Sequence, residues 1–177
     1  MKHSILTIAV FTLTLISSTE ITAQEFKGLD KSPMDMTAFP SSYKISDKIV
    51  KVIYSRPQLK GRDLVKLAPP EKVWRTGANE AAEITFYKDV VFGGKELKAG
   101  TYSLFTIPSA DGDWTVIINK AKNLWGSYYY NEDHDMVRVS GKVSKAEKTI
   151  EAFSMMFDKD MTLKMGWGNT VISVPIK

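Results

Sequence analysis

Cysteine is absent from this chain of 177 residues. No disulfide can therefore form, and no lipid can be attached through an N-terminal cysteine. The export route to a bacterial cell envelope tolerates this absence, whereas a small secreted animal domain more often carries disulfides. A chain of this length buries about two thirds of its unfolded surface, so it needs neither a disulfide nor a metal for stability.

Histidine is almost absent, which limits the chemistry that the chain can perform. The two histidines are His3 and His134, and we expect His3 to be lost with a signal peptide. A metal site built from several histidines is therefore excluded. A Ser-His-Asp triad would have to use His134, and no nucleophile lies between the glycines of a strained elbow. We predict no metal and no cofactor, and we assign no catalytic residue.

Long runs of like charge are also missing. The formal net charge is +4 and the pI is about 9.1, yet the lysines are scattered singly among acids. A nucleic-acid partner would favour blocks of basic residues, so this pattern indicates an ordinary solvated surface. We therefore predict no nucleic-acid partner.

The N-terminus has the layout of a secretory signal peptide. A short charged start precedes a mainly aliphatic run over residues 5–16, and small polar residues follow it. The run is shorter than the about 20 apolar residues that a spanning helix needs, so no transmembrane segment is expected in the mature chain. We predict a signal peptide over residues 1–23, cleavage near Ala23 or Gln24, and a periplasmic or extracellular location.

The remaining chain reads as one β-rich domain. Residues 24–43 show no period and are predicted to form an irregular arm, and residues 44–177 to form a single domain. Short alternating runs are separated by Gly, Pro, Asp and Asn. They lie at residues 45–55, 82–91, 101–107, 114–119 and 136–143. This pattern predicts an all-β fold, an antiparallel β-sandwich of jelly-roll type with about nine or ten short strands and little helix.

Three local features of the sequence lead to more specific structural predictions. Gly93 and Gly94 indicate a β-hairpin, and residues 162–167 and 170–176 are predicted to form a closing hairpin turning at residues 168–169. Residues 145–157 fit both a helical and a strand period, and their context favours a strand. Residues 58–71 are predicted to be a loop with one helical turn.

Residues 73–80 concentrate more chemically specific groups than any other segment. Arg56, Arg62 and Arg75 each lie near a turn residue, and guanidinium groups bind carboxylate or phosphate in a bidentate manner. We predict a site for a small anionic or sugar-derived ligand, formed by these arginines with Asn79 and Glu80. The interpretation that we favour for the loop itself is a structural clamp, in which Arg75 pairs with Glu80 or Glu83 and Trp74 packs over it, with ligand contact as an addition.

Other residues give weaker indications of function. The acids at residues 111–113 and 131–135 could supply calcium ligands, but they are equally ordinary turn formers. Glu80 and Glu83 are candidates for the paired carboxylates of a glycan hydrolase. An aromatic cluster that could stack on sugars comprises Trp125, Tyr128, Tyr129 and Tyr130. If this cluster is a strand, Tyr129 points away from the other two tyrosines.

Several blocks of the sequence resemble a known family. These blocks are Tyr-Ser-Arg-Pro at residues 54–57, Lys-Gly-Arg at 60–62, Val-Trp-Arg-Thr-Gly-Ala-Asn-Glu at 73–80, the run at 99–108 and Trp-Gly at 125–126. In this order they resemble domain of unknown function 2911, an uncharacterised bacterial family found largely in secreted proteins of Bacteroidetes-like organisms. The resemblance covers residues 50–176, and residues 63–70 depart from it. It implies an exported β-domain and supplies no catalytic residues.

The sequence therefore predicts an exported β-sandwich of unknown biochemical role. Its most plausible role is a non-catalytic binding or envelope-associated module, with an anionic or carbohydrate ligand near residues 74–80. An enzyme is the less favoured interpretation. If the chain is one, a glycan-directed hydrolase with paired carboxylates is the form that its residues best support.

Overall fold

The computed structural model of the chain describes residues 26–177. The predicted signal peptide and its cleavage site lie outside the described residues. Within these residues helix is confined to α1 (Leu64–Leu67) and to a 3₁₀ turn at Glu132–His134. The strands are β1 (Met34–Phe39), β2 (Val50–Ser55), β3 (Ala82–Phe86), β4 (Val90–Phe92), β5 (Lys95–Leu97), β6 (Gly100–Ile107), β7 (Trp114–Asn119), β8 (Asp135–Phe157) and β9 (Leu163–Val174).

Seven of the nine strands in residues 26–177 form one antiparallel sheet. Its order is β1-β2-β3-β6-β7-β8-β9, and β4 pairs with β5 in a separate ribbon. The predicted all-β, antiparallel class with little helix is therefore confirmed. A two-layer jelly-roll sandwich is not confirmed, because a single sheet curls around the core.

The sheet curls where the long strand β8 bulges against β9. This strand has 23 residues, and its pairing with β9 shifts register between Lys145 and Ile150 and again between Ile150 and Ser154. Such bulges bend a strand and increase its twist. The second half of β8 consequently reaches the chain that follows β2, where Phe153 N–H donates to Pro57 O at 2.9 Å. The two ends of the sheet are thereby brought together.

The main core lies on the inner face of this curled sheet. Alternate residues of each strand point inward, so the strands supply buried aliphatic and aromatic side chains in turn. The fully buried members of β2, β3, β6 and β7 include Val50, Val52, Ile84, Leu104, Val116 and Ile118. Trp74 packs among rings of the later strands, stacked on Trp167 with 5.4 Å between ring centroids.

A smaller apolar cluster occupies the opposite face of the sheet. Phe105 and Ile117 are buried there with Ala81, and Leu124 and Tyr130 pack against them. Strands β6 and β7 are thus covered on both faces. This explains why residues 114–119 are apolar on both faces, as a central strand should be.

Several local predictions are confirmed and others are wrong. Residues 145–157 are a strand, α1 is the single helical turn in the loop after β2, and β4 and β5 form the hairpin at Gly93 and Gly94. Both glycines have positive φ, 54° and 89°, as a two-residue hairpin turn requires. The predicted strand over residues 82–91 is divided, because β3 joins the large sheet and β4 the small ribbon.

The chain termini differ most from the sequence prediction. The segment expected to be irregular contains β1, which pairs along its whole length with β2. No closing hairpin forms at residues 168–169, because β9 continues through them as one strand of 12 residues. Gly168 does have a positive φ of 59°, but it pairs with Ile150 at the bulge in β8. It therefore bends the β8–β9 pair and does not reverse the chain direction.

Within residues 26–177 there is no helix with the length and apolar character needed to cross a membrane.

The two tryptophans Trp74 and Trp125 provide a test of this core. Trp74 is 7% exposed and Trp125 is 53% exposed. We expect Trp74→Ala to lower the free energy of unfolding by about 3 to 5 kcal/mol, because it leaves a large cavity among aromatic rings. Trp125→Ala should change it by about 0.5 kcal/mol or less. Urea denaturation of both variants measures the difference, and equal losses would contradict the assignment of Trp74 to the core.

Candidate functional site

Residues 73–80 cross the end of the sheet as an irregular segment fixed at both ends. Trp74 exchanges two backbone hydrogen bonds with Thr106, at 2.7 and 3.0 Å, and Ala82 N–H donates to Arg75 O at 3.0 Å. Thr76 and Asn79 adopt positive φ angles of 53° and 59°, which lets the chain turn sharply between these anchors. The segment is therefore a fixed loop rather than a mobile one.

A second segment pairs with this loop and carries Trp125. Ala81 N–H donates to Leu124 O, and Gly126 N–H donates to Asn79 O, both at 2.9 Å. Glu80 and Trp125 are thus bridge partners in an antiparallel arrangement. These bonds place a carboxylate and an indole ring side by side, although 45 positions separate them in the sequence.

Gly126 is required at its position in this pairing. It has a positive φ of 65°, and a Cβ there would lie 2.9 Å from Tyr128 Cδ2 and 3.2 Å from Arg75 Nη1. A side chain at residue 126 would therefore displace both neighbours. The Trp-Gly pair at residues 125–126 is explained by this close packing.

Two adjoining cavities lie beside the loop, of about 260 and 300 Å³. Both are lined by Met34, Ser55 and Glu80, and together we call them the Glu80 groove. The first also includes Ile53, Tyr54, Ala81, Glu83 and Asn123, and the second Lys27, Asp30, Ser32, Asn79 and Trp125. Strands β1 and β2, with residues 27–32 before β1, form one side of the groove, and the paired loop segments form the other.

The groove carries more acidic than basic groups. Three carboxylates line it, from Asp30, Glu80 and Glu83, against the single ammonium of Lys27. Ser32 N–H donates to Asp30 Oδ1 at 2.7 Å, and this bond, together with the Asn79 side chain, holds the pKa of Asp30 below its ordinary value. Asp30 is therefore ionised at neutral pH, and the groove disfavours an anionic ligand.

The hydrogen-bonding groups of the groove are only partly used. Glu83 Oε1 accepts a bond from Asn123 N–H at 2.8 Å. Glu80 is exposed, and its carboxylate has no hydrogen-bond partner among the described residues. Glu80 is thus available to a ligand, next to the half-exposed ring of Trp125.

Arg56 and Arg62 do not contribute to the groove. The Arg56 guanidinium donates to Phe153 O at 3.0 Å, to Asp35 Oδ2 at 3.2 Å and to Ser154 Oγ at 2.6 Å. It therefore ties β2 to β1 and to the far half of β8. A second set of bonds belongs to Arg62, which donates to Leu59 O at 2.9 Å and to Gln58 O at 2.7 Å. The two arginines have no partner in common.

Arg75 takes part in neither of the arrangements that the sequence suggests. Its Nη1 donates to Asn79 O at 3.3 Å, and within residues 26–177 it forms no ion pair with Glu80 or Glu83. The expected clamp is wrong in its chemistry, because Glu80 faces the groove and Glu83 bonds to Asn123. Trp74 is directed into the core rather than over Arg75. Backbone pairing and the buried indole ring hold the loop instead.

The structure thus brings together two of the five predicted site residues. Asn79 and Glu80 line the groove, whereas Arg56, Arg62 and Arg75 make contacts within the fold. Sequence reasoning missed Asp30 and Asn123 as parts of this site, and it did not connect Trp125 with Glu80. The Trp-Gly pair at residues 125–126 indicated a close-packed position, but only the fold shows that it pairs with residues 79–81.

The three consecutive tyrosines do not alternate as they would in a strand. Tyr128 and Tyr129 are 78% and 72% exposed, while Tyr130 packs on Phe105 with 5.1 Å between ring centroids. The alternation expected for a strand is wrong here, because these residues lie in a turn. Two adjacent rings are therefore exposed beside Trp125.

A hydrogen-bonded network anchors this turn. Tyr130 Oη donates to Asp135 Oδ2 at 2.7 Å, Arg138 Nη2 donates to Tyr130 Oη at 2.6 Å, and Asn119 Nδ2 donates to Asp135 Oδ1 at 2.7 Å. Burial and the Asp135 carboxylate raise the pKa of Tyr130 to about 12. The network joins the turn to the ends of β7 and β8.

The acidic loops make hydrogen bonds within the fold. Asp113 accepts bonds from Val143 N–H and Ser140 Oγ, both at 3.0 Å, and Asn131 Oδ1 accepts from Asp133 N–H at 3.0 Å. In the part of the chain that the structure describes, no three His, Cys, Asp or Glu side chains are grouped to hold a metal ion. The Asn131 bond is that of a turn former, whereas Asp113 joins its loop to β8.

The strands and the groove define an antiparallel all-β domain with a small cavity at one edge of its sheet. Residues 32–176 match the family described as "Protein of unknown function (DUF2911)", and the chain belongs to this family. The match confirms the resemblance of the sequence blocks, and it includes β1. No curated protein and no solved structure matches the chain. The family assigns no activity, so function is argued from the groove.

The tyrosine network predicts a specific pH dependence. The pKa of Tyr130 is raised from about 10 in the unfolded chain to about 12 in the fold. Between these values the unfolded chain loses its proton first, so the contribution to stability is complete below pH 10 and is lost towards pH 12. Tyr130→Phe lacks this titration and should lose less stability over the same interval. Urea denaturation at pH 8, 10 and 11 measures this difference.

At neutral pH the same variant should be less stable than the wild type by about 1 to 2 kcal/mol, because Asp135 and Arg138 lose a hydrogen-bonding partner. Tyr129→Phe is the control, since Tyr129 is exposed and its hydroxyl takes part in no such network. Parallel losses of stability for wild type and Tyr130→Phe above pH 10 would contradict the raised pKa.

Proposed function

We propose that the protein is an exported, non-catalytic binding domain that takes a carbohydrate in the Glu80 groove. The observation that carries this proposal is the half-exposed indole ring of Trp125 beside Asn79 and the carboxylate of Glu80, which has no hydrogen-bond partner within residues 26–177. An aromatic ring stacks on the apolar face of a sugar, and carboxylate and amide groups bind its hydroxyls. This combination of one flat ring and a few convergent polar groups suits a small polyhydroxylated ligand.

The charge of the groove distinguishes between the two ligand classes that the sequence suggests, a small anion and a sugar. Three carboxylates would repel a phosphate or carboxylate, and the predicted arginines bind partners within the fold. A sugar hydroxyl, in contrast, is neutral and donates hydrogen bonds to carboxylate oxygens without electrostatic repulsion. The groove therefore supports the sugar-derived ligand and not the small anionic one.

The construction of the groove also favours binding. The Glu80 side is held by backbone pairing between residues 79–81 and 124–126. The other side is formed by the paired strands β1 and β2 and by residues 27–32, where Ser32 N–H donates to Asp30 Oδ1 at 2.7 Å. Little order has to be gained when a ligand enters such a site, so less binding energy is lost to conformational entropy. The volumes of the two cavities suit one or two sugar rings rather than a large cofactor.

A glycan hydrolase is the second candidate, because Glu80 and Glu83 line the same cavity. The general acid of such enzymes lies in an apolar environment that keeps it protonated. Glu80 is exposed to solvent and Glu83 bonds to the Asn123 backbone, so neither has that environment. Binding without hydrolysis is the better-supported function.

Isothermal titration calorimetry tests this proposal on the mature chain. The ligands are glucose, mannose, galactose, xylose and N-acetylglucosamine, each as a monosaccharide and as oligosaccharides of two to six units. We expect one series to bind, Trp125→Ala to remove measurable binding, and Glu80→Gln to weaken it by about tenfold. Glu147→Gln, an exposed glutamate of β8, should leave affinity unchanged.

Two outcomes would contradict the proposal. If no sugar binds, or if Trp125→Ala binds as tightly as the wild type, the groove is not a carbohydrate site. If the bound sugar is cleaved and Glu80→Gln stops the cleavage without unfolding the chain, the protein is the hydrolase instead. Chromatography of the sugar after overnight incubation distinguishes binding from cleavage.

Export is proposed from the N-terminal sequence alone. The charged start, the short apolar run and the small residues before Ala23 support removal of a signal peptide. Expression of the full chain in a Gram-negative host should give a periplasmic protein that begins at residue 24 or 25. Intact mass spectrometry measures this directly, and a mature chain retaining residues 1–23 in the cytoplasm would contradict export.

A further inference from the structure

We infer that the sugar bound in the Glu80 groove carries a free amino group, and that this group binds to Glu80, Glu83 and Ser55 in the first cavity. This inference rests on the proposed function, because it names the class of sugar that the same site takes. The ligand is thus a protonated amino sugar rather than a neutral or N-acetylated one.

The first cavity contains two acidic side chains and no basic one. Glu80 and Glu83 line its volume of about 260 Å³, whereas Lys27 lines only the second cavity. Neither glutamate forms an ion pair within residues 26–177. Two like charges in a small cavity repel each other, and a cation bound to both removes that repulsion.

Glu83 is held in position by the fold and keeps one oxygen for a ligand. It lies opposite Ile53 in the pairing of β2 with β3, between the buried residues Ala82 and Ile84. Its side chain therefore points away from the main core and towards the cavity. Its Oε1 accepts a bond from Asn123 N–H at 2.8 Å, so the carboxylate is oriented before a ligand enters.

Ser55 provides a third polar group for the ligand. The residue is only 4% exposed, yet its hydroxyl forms no hydrogen bond in the part of the chain that the structure describes. Every fully buried polar side-chain atom in that part has a partner, so the Ser55 hydroxyl opens onto the groove, whose two cavities it lines. A ligand that left this hydroxyl unpaired would lose affinity.

A protonated amine suits these three groups better than a metal ion does. It has three N–H donors, and the two carboxylates and the hydroxyl are all acceptors. Among the described residues no three His, Cys, Asp or Glu side chains are grouped to hold a metal. Glu80 and Ser55 line both cavities, so an amine bound to them lies next to a sugar ring stacked on Trp125 in the second cavity.

The test compares amino sugars with neutral sugars of the same ring by calorimetry at about pH 6, where the amine is protonated. Glucosamine is measured against glucose and N-acetylglucosamine, and galactosamine against galactose. We expect one amino sugar to bind at least about tenfold more tightly than its neutral counterparts. This preference should shrink when salt is raised to about 0.5 M, because the contact is between charges.

Two variants assign the preference to the first cavity. Glu83→Gln keeps an oxygen for Asn123 N–H but removes the charge, so it should reduce the preference about threefold to tenfold without loss of stability in urea. Ser55→Ala should weaken amino-sugar binding about threefold, also without loss of stability, because the hydroxyl has no partner in the described fold. Glu147→Gln, at an exposed position of β8, is the control and should leave the preference unchanged.

The possible failures are distinguishable. Equal affinity for an amino sugar and its parent sugar, an unchanged preference in Glu83→Gln, or full amino-sugar affinity in Ser55→Ala would overturn the inference and leave the groove as a neutral-sugar site. Cyclohexylamine has a ring and an amine but no hydroxyls. If it binds as tightly as the amino sugar, or if no sugar of either kind binds, the proposed function itself is overturned.

Discussion

Trp74 is held from two directions, and the position of the candidate site depends on that double attachment. Its backbone exchanges two hydrogen bonds with Thr106 of β6, while its indole ring packs against Trp114, Phe153 and Trp167 of β7, β8 and β9. Strands distant in sequence therefore meet on a single side chain. Large aromatic rings bury more apolar area than other residues, so this contact determines where the irregular segment joins the sheet and places the residues that follow it.

The six residues after this anchor show how a rigid loop can present polar groups. Thr76 is β-branched and has a positive φ of 53°, a conformation that such residues rarely adopt. It is fully buried, and its hydroxyl bonds to Thr106 Oγ1 at 3.3 Å. Strain of this kind persists only where the surrounding contacts determine the conformation. As a result, Asn79 O accepts the hydrogen bond from Gly126 N–H, and Glu80 faces the groove.

Sequence alone was sufficient for the properties that depend on local pattern. Alternation gives the strands, and paired glycines give the hairpin between β4 and β5. Prediction from the sequence failed where contacts between distant segments determine the structure. Strand β1 depends on its pairing with β2, and its more exposed set contains Met34 and Met36 rather than polar residues. Gly168 forms a bend because Ile150 lies opposite. A guanidinium bonds as well to carbonyl oxygens of its own fold as to a ligand, and Arg56 and Arg62 do so. Their neighbours in space, not their spacing, determine their role.

The net charge of the chain and the charge of its groove have opposite signs, and they act over different distances. A charge of +4 is spread over scattered lysines and decays within a screening length of about 8 Å at physiological salt. Within the groove, three carboxylates and one ammonium lie closer than that to any bound ligand. An anionic surface would therefore attract the whole molecule weakly, while the carboxylates of the groove disfavour anions. For this reason the basic pI gives no information about the proposed ligand, whose charge and shape would have to be compatible with Glu80 and Trp125.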